Sequence, residues 1–286
     1  MISNNHESWT GKRTLWYQNP LDVIAKLFSN SLFCDTMIFT PEKRTDSQGK
    51  RRYSELHWSD FWWNLQSSES IPEGATIVPV LLAMDETHLN TIGRAKVHPV
   101  YLTIGNILKR ERRTYSKHAY TLVSYLPALE GSASEQKNAK FSEAKIRLLH
   151  KSLSELLELV KNAGIHSRMM RGPDGVYQNC FPVVMSIAAD YPEACHIALI
   201  RQGSSCPVCM AKKEDFPNLV KKHKLRTVND MKKVVNVAEC IIADLGEREL
   251  KKNGIVGIQN SLWDLPYVNM YNIFTSDILH QIKKDI

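Results

Sequence analysis

Apolar positions fall into two rhythms along this 286-residue chain. Residues 76–84 (TIVPVLLAM) form one unbroken apolar run of strand length that ends against Asp85. Residues 98–107 (HPVYLTIGNI) and 121–126 (TLVSYL) are rich in β-branched and aromatic side chains, so both read as strands. The rhythm changes over residues 141–163. There Ile146, Leu149, Leu153, Leu156 and Val160 recur at spacings of three and four, with Lys and Glu on the other face. That spacing predicts an amphipathic helix, and Gly164 is expected to close it. A Gly/Pro/Asp turn at 172–175 leads to residues 181–189 (FPVVMSIAA), a fourth strand ending at Asp190. Pro192 suits a first helical turn, so residues 193–200 read as the start of another helix.

The order strand, strand, strand, helix, strand, helix is that of an α/β fold with an RNase H-like mixed sheet and flanking helices, placed at residues 71–203. Residues 1–70 read as an N-terminal extension. Residues 204–286 read as a cysteine-containing insertion and an incomplete C-terminal part. The extension holds an apolar-periodic stretch at 21–33 and a basic loop at 43–52. Its aromatic group, Trp58, Phe61, Trp62 and Trp63, reads as packing before nucleic-acid stacking, because large aromatics dominate burial.

Composition narrows the class. Hydrophobic residues at 43% and charged residues at 23% are ordinary for a globular protein that can build a sizeable core. Lys and Arg outnumber Asp and Glu by 37 to 30, a formal charge of +7 that favours a polyanionic partner. No apolar run reaches the roughly 18 residues that a membrane helix needs. Residues 1–30 contain no apolar leader, so secretion is not expected. Of the cysteines, Cys206 and Cys209 alone lie close in sequence, which suggests reduced thiols and one metal half-site rather than a disulfide framework.

Three groups could carry chemistry. Asp85 and Asp190 each end a strand. Two carboxylates from neighbouring strand ends make a hard-oxygen site suited to Mg²⁺ or Mn²⁺ in phosphodiester cleavage. Solvated strand ends or helix caps are the plainer reading of the same residues. Cys206-Pro-Val-Cys209 has the bite of a Zn²⁺ knuckle. Its partners would come from His196, His223, Cys195, Cys240 or His280, and two packed free cysteines are the alternative. Lys109, Arg110, Arg112 and Arg113 follow the second strand and read either as a DNA-phosphate contact beside the acidic site or as a solvated turn.

The stretch VPVLLAMDETHLNTIGRAKVHPVYLTIGNILKRERR (78–113) closely resembles the Plavaka-type fungal DNA transposases, a group allied with Kyakuja-Dileera-Zisupton and CACTA-type transposases. The likeness continues through SYLPAL (124–129), ADYPEACHIALIRQGSSCPVC (189–209) and LWDLPYVNMYNIFTSDILHQ (262–281), and YQNPLDVIAKLFSN and ELHWSDFWWNLQ match in style. The resemblance implies a DDE/D cut-and-paste transposase with Asp85 and Asp190 as the first two catalytic acids. It also implies Mg²⁺ or Mn²⁺ as cofactor, transposon-end DNA as partner, a homo-oligomer as a further assembly, no membrane, and a nuclear location. Cys206 and Cys209 match the C-x₂-C of an insertion after the second aspartate. The chain departs from the usual Ser-Asp-Lys-Thr by reading Met84-Asp85-Glu86-Thr87. The third acid is expected beyond Ile286, with Asp277 as a lesser candidate for metal binding. The expectation at this point is therefore a C-terminally truncated copy without a complete site, or a non-catalytic nucleic-acid-binding derivative.

Overall fold

The computed structural model describes residues 2–3, 12–88, 96–129, 131, 134–218 and 220–276. Its centre is a seven-stranded mixed sheet. The strands are β1 (Trp16–Tyr17), β2 (Thr76–Met84), β3 (Pro99–Ile104), β4 (Thr121–Tyr125), β5 (Arg168–Arg171), β6 (Tyr177–Ala189) and β7 (Phe274–Ser276). They lie in the order β7-β6-β2-β3-β4-β1, with β5 paired to β6. β2, β3 and β4 form an antiparallel meander, and β1 pairs antiparallel with β4. β6 runs parallel to β2, and β7 parallel to β6. The described helices are α1 (Pro20–Phe28), α2 (Asp60–Gln66), α3 (Lys109–Arg113), α4 (Ala139–His166), α5 (Tyr191–Ala198), α6 (Val228–Cys240) and α7 (Ala243–Asn253). None of them is long and apolar enough to cross a membrane.

Alternation along β2 explains why its apolar run is unbroken. Val78, Val80, Leu82 and Met84 join the larger core with α1 and α4, while Ile77 joins Trp62, Leu65 and Phe181 on the other face. A strand covered on both sides loses the polar half of its pattern. The extension contributes to both layers. Leu21, Ile24 and Phe28 of α1 enter the larger core, and Trp62 of α2 is fully buried in the smaller one. Asn19 caps α1 by accepting from Leu21 N at 3.0 Å, with Pro20 at the first turn.

The long helix does not stop at Gly164. It runs to His166, where Ser167 takes a positive φ of 62°. Gly164 serves another purpose: a Cβ there would lie 2.8 Å from Pro182 O and 2.7 Å from Pro266 Cγ. The glycine lets α4 approach β6 and the 261–266 segment closely, so a packing requirement imitates a stop signal. The same segment is tied to α4 by buried polar groups. Lys161 Nζ donates to Ser261 O and Asp264 Oδ1, both at 2.7 Å. His150 lies between Ser261 Oγ and His196 O, each at 3.1 Å. Burial pushes the His150 pKa down to about 4, so the ring is neutral at ordinary pH.

β6 carries a bulge. It pairs Val184 with Val80, then Ser186 with Leu81, so Met185 is an extra residue. Its core-facing parity switches accordingly. Cys180 and Val184 face the larger core before the bulge, Ile187 and Ala189 after it.

Candidate functional site

Beyond the bulge, Ala188 pairs with Ala83. Two residues further along each parallel strand stand Asp190 and Asp85, so continuing the register places the two aspartates opposite each other at one end of the sheet. Without the extra Met185, Asp85 would face Ala189 instead. Strand alternation gives both aspartates the parity of the paired alanines, which are half-buried on the face away from the larger core. Two small residues there leave the strand ends open to solvent. Asp85 is exposed. Asp190 is half-buried and caps α5, its Oδ1 accepting from Glu193 N at 2.8 Å. The capping role is therefore observed for Asp190, and it occupies one carboxylate oxygen and leaves Oδ2 as an acceptor.

Two residues beside the aspartates were not singled out from the sequence. His98, just before β3, brings Nε2 to 3.3 Å from Glu193 Oε1, in the first turn of α5. Both atoms are buried and the pair falls short of hydrogen-bond geometry, so the contact is an ion pair when the histidine is protonated. Burial opposes charge on His98. The Glu193 carboxylate, with Glu86 and Asp85 further off, outweighs it and raises the pKa above the ordinary value. His196 shifts the other way, chiefly by burial and also by Lys145 and His98, against Glu193 and Asp190. The end of the sheet bearing Asp85 and Asp190 thus gathers acids and histidines whose charges act on one another. Both missed residues adjoin segments already noted, in HPVYL and DYPEA, but nothing local in the sequence indicates that they touch.

The cysteine motif forms a tight turn in which Val208 N donates to Cys206 Sγ at 3.4 Å. Cys206 and Cys209 are half-buried. Burial, then the neighbouring Cys206, raises the Cys209 pKa despite a hydrogen bond from Ala211 N. Cys195 is fully buried on α5, its thiol pushed up to about 11 by burial, and Cys240 is exposed. His223 lies 3.7 Å from Asp215. Arg226 is buried against the motif, with Nε donating to Cys206 O at 2.9 Å. Among the described residues, no group of three or more His, Cys, Asp or Glu side chains is arranged to hold a metal ion. Cys206 and Cys209 are thus joined by no third ligand among the described residues. Asp277 and His280 lie outside the described residues.

The basic cluster is not beside the aspartates. β3 is antiparallel to β2, pairing Val100 with Met84 and Ile104 with Val80. α3 follows the far end of β3, so its cations sit at the opposite end of the sheet. They also differ in availability. Arg110 and Arg113 are exposed. Lys109 donates through Nζ to Ser54 O at 3.0 Å and through its backbone N to Glu55 Oε2 at 3.1 Å. Arg112 turns back to donate to Ile107 O, and burial lowers its pKa.

A family model described as Plavaka transposase matches residues 2–286 of the chain. No curated protein matches it.

Proposed function

Because the chain belongs to the Plavaka transposase family, we propose that it binds transposon-end DNA in the nucleus and cleaves it on an RNase H-like sheet of the DDE/D type. An antiparallel meander continued by two parallel strands supports that fold reading. The observation that carries the functional reading is the register of Asp85 against Asp190, set by the bulge at Met185. Bulges concentrate where a strand must re-aim side chains beside an active site.

The two carboxylates fit Mg²⁺ or Mn²⁺. Magnesium commonly takes one or two carboxylates, keeps several waters and completes its shell from substrate phosphate, so a pair of protein ligands is chemically adequate. When bound, such an ion supplies Lewis-acid stabilisation of charge developing on a phosphodiester. The chain's own residues do the positioning. Asp190 is fixed by its cap on α5, and α5 is held to the start of β3 by the Glu193–His98 pair. Ala83 and Ala188 leave room for a backbone to approach. When protonated, His98 also limits the repulsion among Asp85, Glu86 and Glu193 before any cation arrives.

The test is incubation with terminal-repeat duplex DNA and Mg²⁺ or Mn²⁺, beside an Asp85→Ala control. With Asp85 and Asp190 the two acids assigned, slow metal-dependent nicking that the control abolishes is expected. Cutting that survives Asp85→Ala, or no cutting with either ion, would sink the catalytic assignment.

A further inference from the structure

At the end of the sheet remote from the aspartates, two basic segments far apart in sequence form one surface. Residues 37–38 are fastened behind β3: Ile38 N donates to Asn106 O at 2.8 Å, and the buried Asn106 side chain donates to Ile38 O at 2.7 Å. The chain then forms a short hairpin. Arg52 N donates to Arg44 O at 2.9 Å, and Asp46 Oδ1 accepts from Gln48 N and Lys50 N, both at 2.9 Å. Gly49, at φ 78°, closes the turn. The two Lys109 contacts to Ser54 and Glu55 clamp α3 onto the segment leaving this hairpin.

The hairpin cations are splayed over aromatic rings. Arg44 lies 4.7 Å from the Trp58 ring centre, Lys43 4.7 Å from Trp63, and Arg51 5.1 Å from Tyr53. Stacking orders the long side chains without cancelling their charge. Some cations are paired: Arg44 with Glu42, Arg51 with Asp60, and Arg110 with Glu111. Lys43, Lys50, Arg52 and Arg113 are exposed and have no carboxylate within ion-pair distance among the described residues. Beside them Tyr53 and Tyr115 are 61% and 91% exposed, so the surface offers flat amphipathic rings as well as charge.

We propose that the 43–53 hairpin and α3 form a docking surface for the phosphate backbone of duplex DNA, separate from the carboxylate site. The proposal rests on the DNA reading above and deepens it by locating the contact. The guanidinium groups of Arg52 and Arg113, unpaired among the described residues, can meet phosphate oxygens in a planar fork, and the exposed rings of Tyr53 and Tyr115 suit sugar edges. Four residues of β3 separate Val100, beside Met84, from Ile104. At about 3.4 Å per strand residue that is roughly 14 Å, or about four base pairs of duplex. DNA on this surface reaches the aspartates only by running along the sheet. The surface therefore anchors DNA outside the segment that is cut.

The experiment is a salt series of binding titrations on a fluorescent terminal-repeat duplex. It compares the wild-type chain and the triple variant Lys50→Ala, Arg52→Ala, Arg113→Ala. The three basic positions are exposed, and a melting curve matching the wild type establishes that the triple variant is folded. Each lost phosphate contact lowers the slope of log affinity against log salt by about 0.9, so the triple variant is expected to flatten it by about 2.7. An unchanged slope in the folded triple variant overturns this surface and leaves the carboxylate assignment standing. A wild-type chain that binds no duplex overturns both. Displacement of the duplex by polyglutamate at equal charge concentration points to an acidic protein partner and overturns the DNA assignment of the surface.

Discussion

The aspartate end of the sheet takes both its acids from one register, Asp85 after β2 and Asp190 after β6, whereas the basic end joins Lys109 to Ser54 across 55 residues of sequence. β3 runs between them, beginning beside Met84 and ending beside Val80. The acid end is made by strand geometry, and one inserted residue, Met185, decides which side chain faces Asp85. The basic end is made by clamps and ring stacking, which collect like charges that the backbone alone would not bring together. Each end holds an excess of charge of one sign, at a cost in self-repulsion that a ligand of opposite sign relieves. A cation answers at one end and a polyanion at the other, so the two should separate cleanly in binding and cleavage assays.

The largest expected effect is at the acid end. Asp85→Asn and Asp190→Asn each remove one ligand charge, and each is expected to lower metal-dependent cleavage by about 10³-fold, roughly 4 kcal/mol in the barrier. Asn is as good an N-cap as Asp, so Asp190→Asn should keep α5 and melt close to wild type. Single-turnover nicking measures the loss. A fall below tenfold for either variant would remove that residue from the site.

Two histidines make stability depend on pH with opposite signs. His150 titrates near 4 when folded against about 6.5 when unfolded. The unfolded chain therefore binds the proton more readily, and stability falls as pH drops from 6.5 through 4, by about 3 kcal/mol at the limit. His98 is raised by Glu193, Glu86 and Asp85 despite its burial. Its contribution is complete below about pH 6.5 and is lost as pH rises through the folded value. These two groups place a stability maximum near pH 6.5. Denaturant melts across pH 4–9 check it: His150→Gln should flatten the acid limb, and His98→Gln the alkaline one. Unchanged limbs would show that other groups set the profile.

What the sequence made legible follows the same division. The apolar run 76–84 and the stretch 181–189 identify the two strands that carry Asp85 and Asp190, because burial on both faces leaves its mark in consecutive residues. β6 begins earlier than that stretch, at Tyr177, because its first residues pair with β5 rather than fill the core. α6 and α7 passed unnoticed: each buries only a narrow stripe, Met231 and Val235 in α6 and Gly246 and Leu250 in α7. The aromatic group divides as a packing surface does at its edge. Trp62 is fully buried, while Trp58 and Trp63 lie half-buried under Arg44 and Lys43. The position of the 109–113 cluster was misread because adjacency in sequence to a strand does not say which end of the sheet that strand leaves from. Only pairing direction settles that. The His98–Glu193 contact joins residues far apart in the chain, and nothing in local pattern encodes it.

The smallest effect sharpens the comparison within α3 itself. Arg112 and Arg113 are neighbours of the same charge, but Arg112 folds back onto Ile107 O, and burial disfavours its charged form. Arg113 points no bond inward among the described contacts and is exposed. Arg112→Ala should therefore cost stability, about 1–3 kcal/mol for a buried acceptor left unpaired, with the salt slope of DNA binding unchanged. Arg113→Ala should do the reverse, holding stability within about 0.5 kcal/mol and lowering the slope by about 0.9. Denaturant melts and the salt series on the two single variants decide it. If Arg112→Ala flattens the slope as much as Arg113→Ala, its guanidinium leaves Ile107 to meet phosphate, and the basic end rearranges on binding. If neither changes the slope, the DNA contact lies on the hairpin alone, through Lys50 and Arg52.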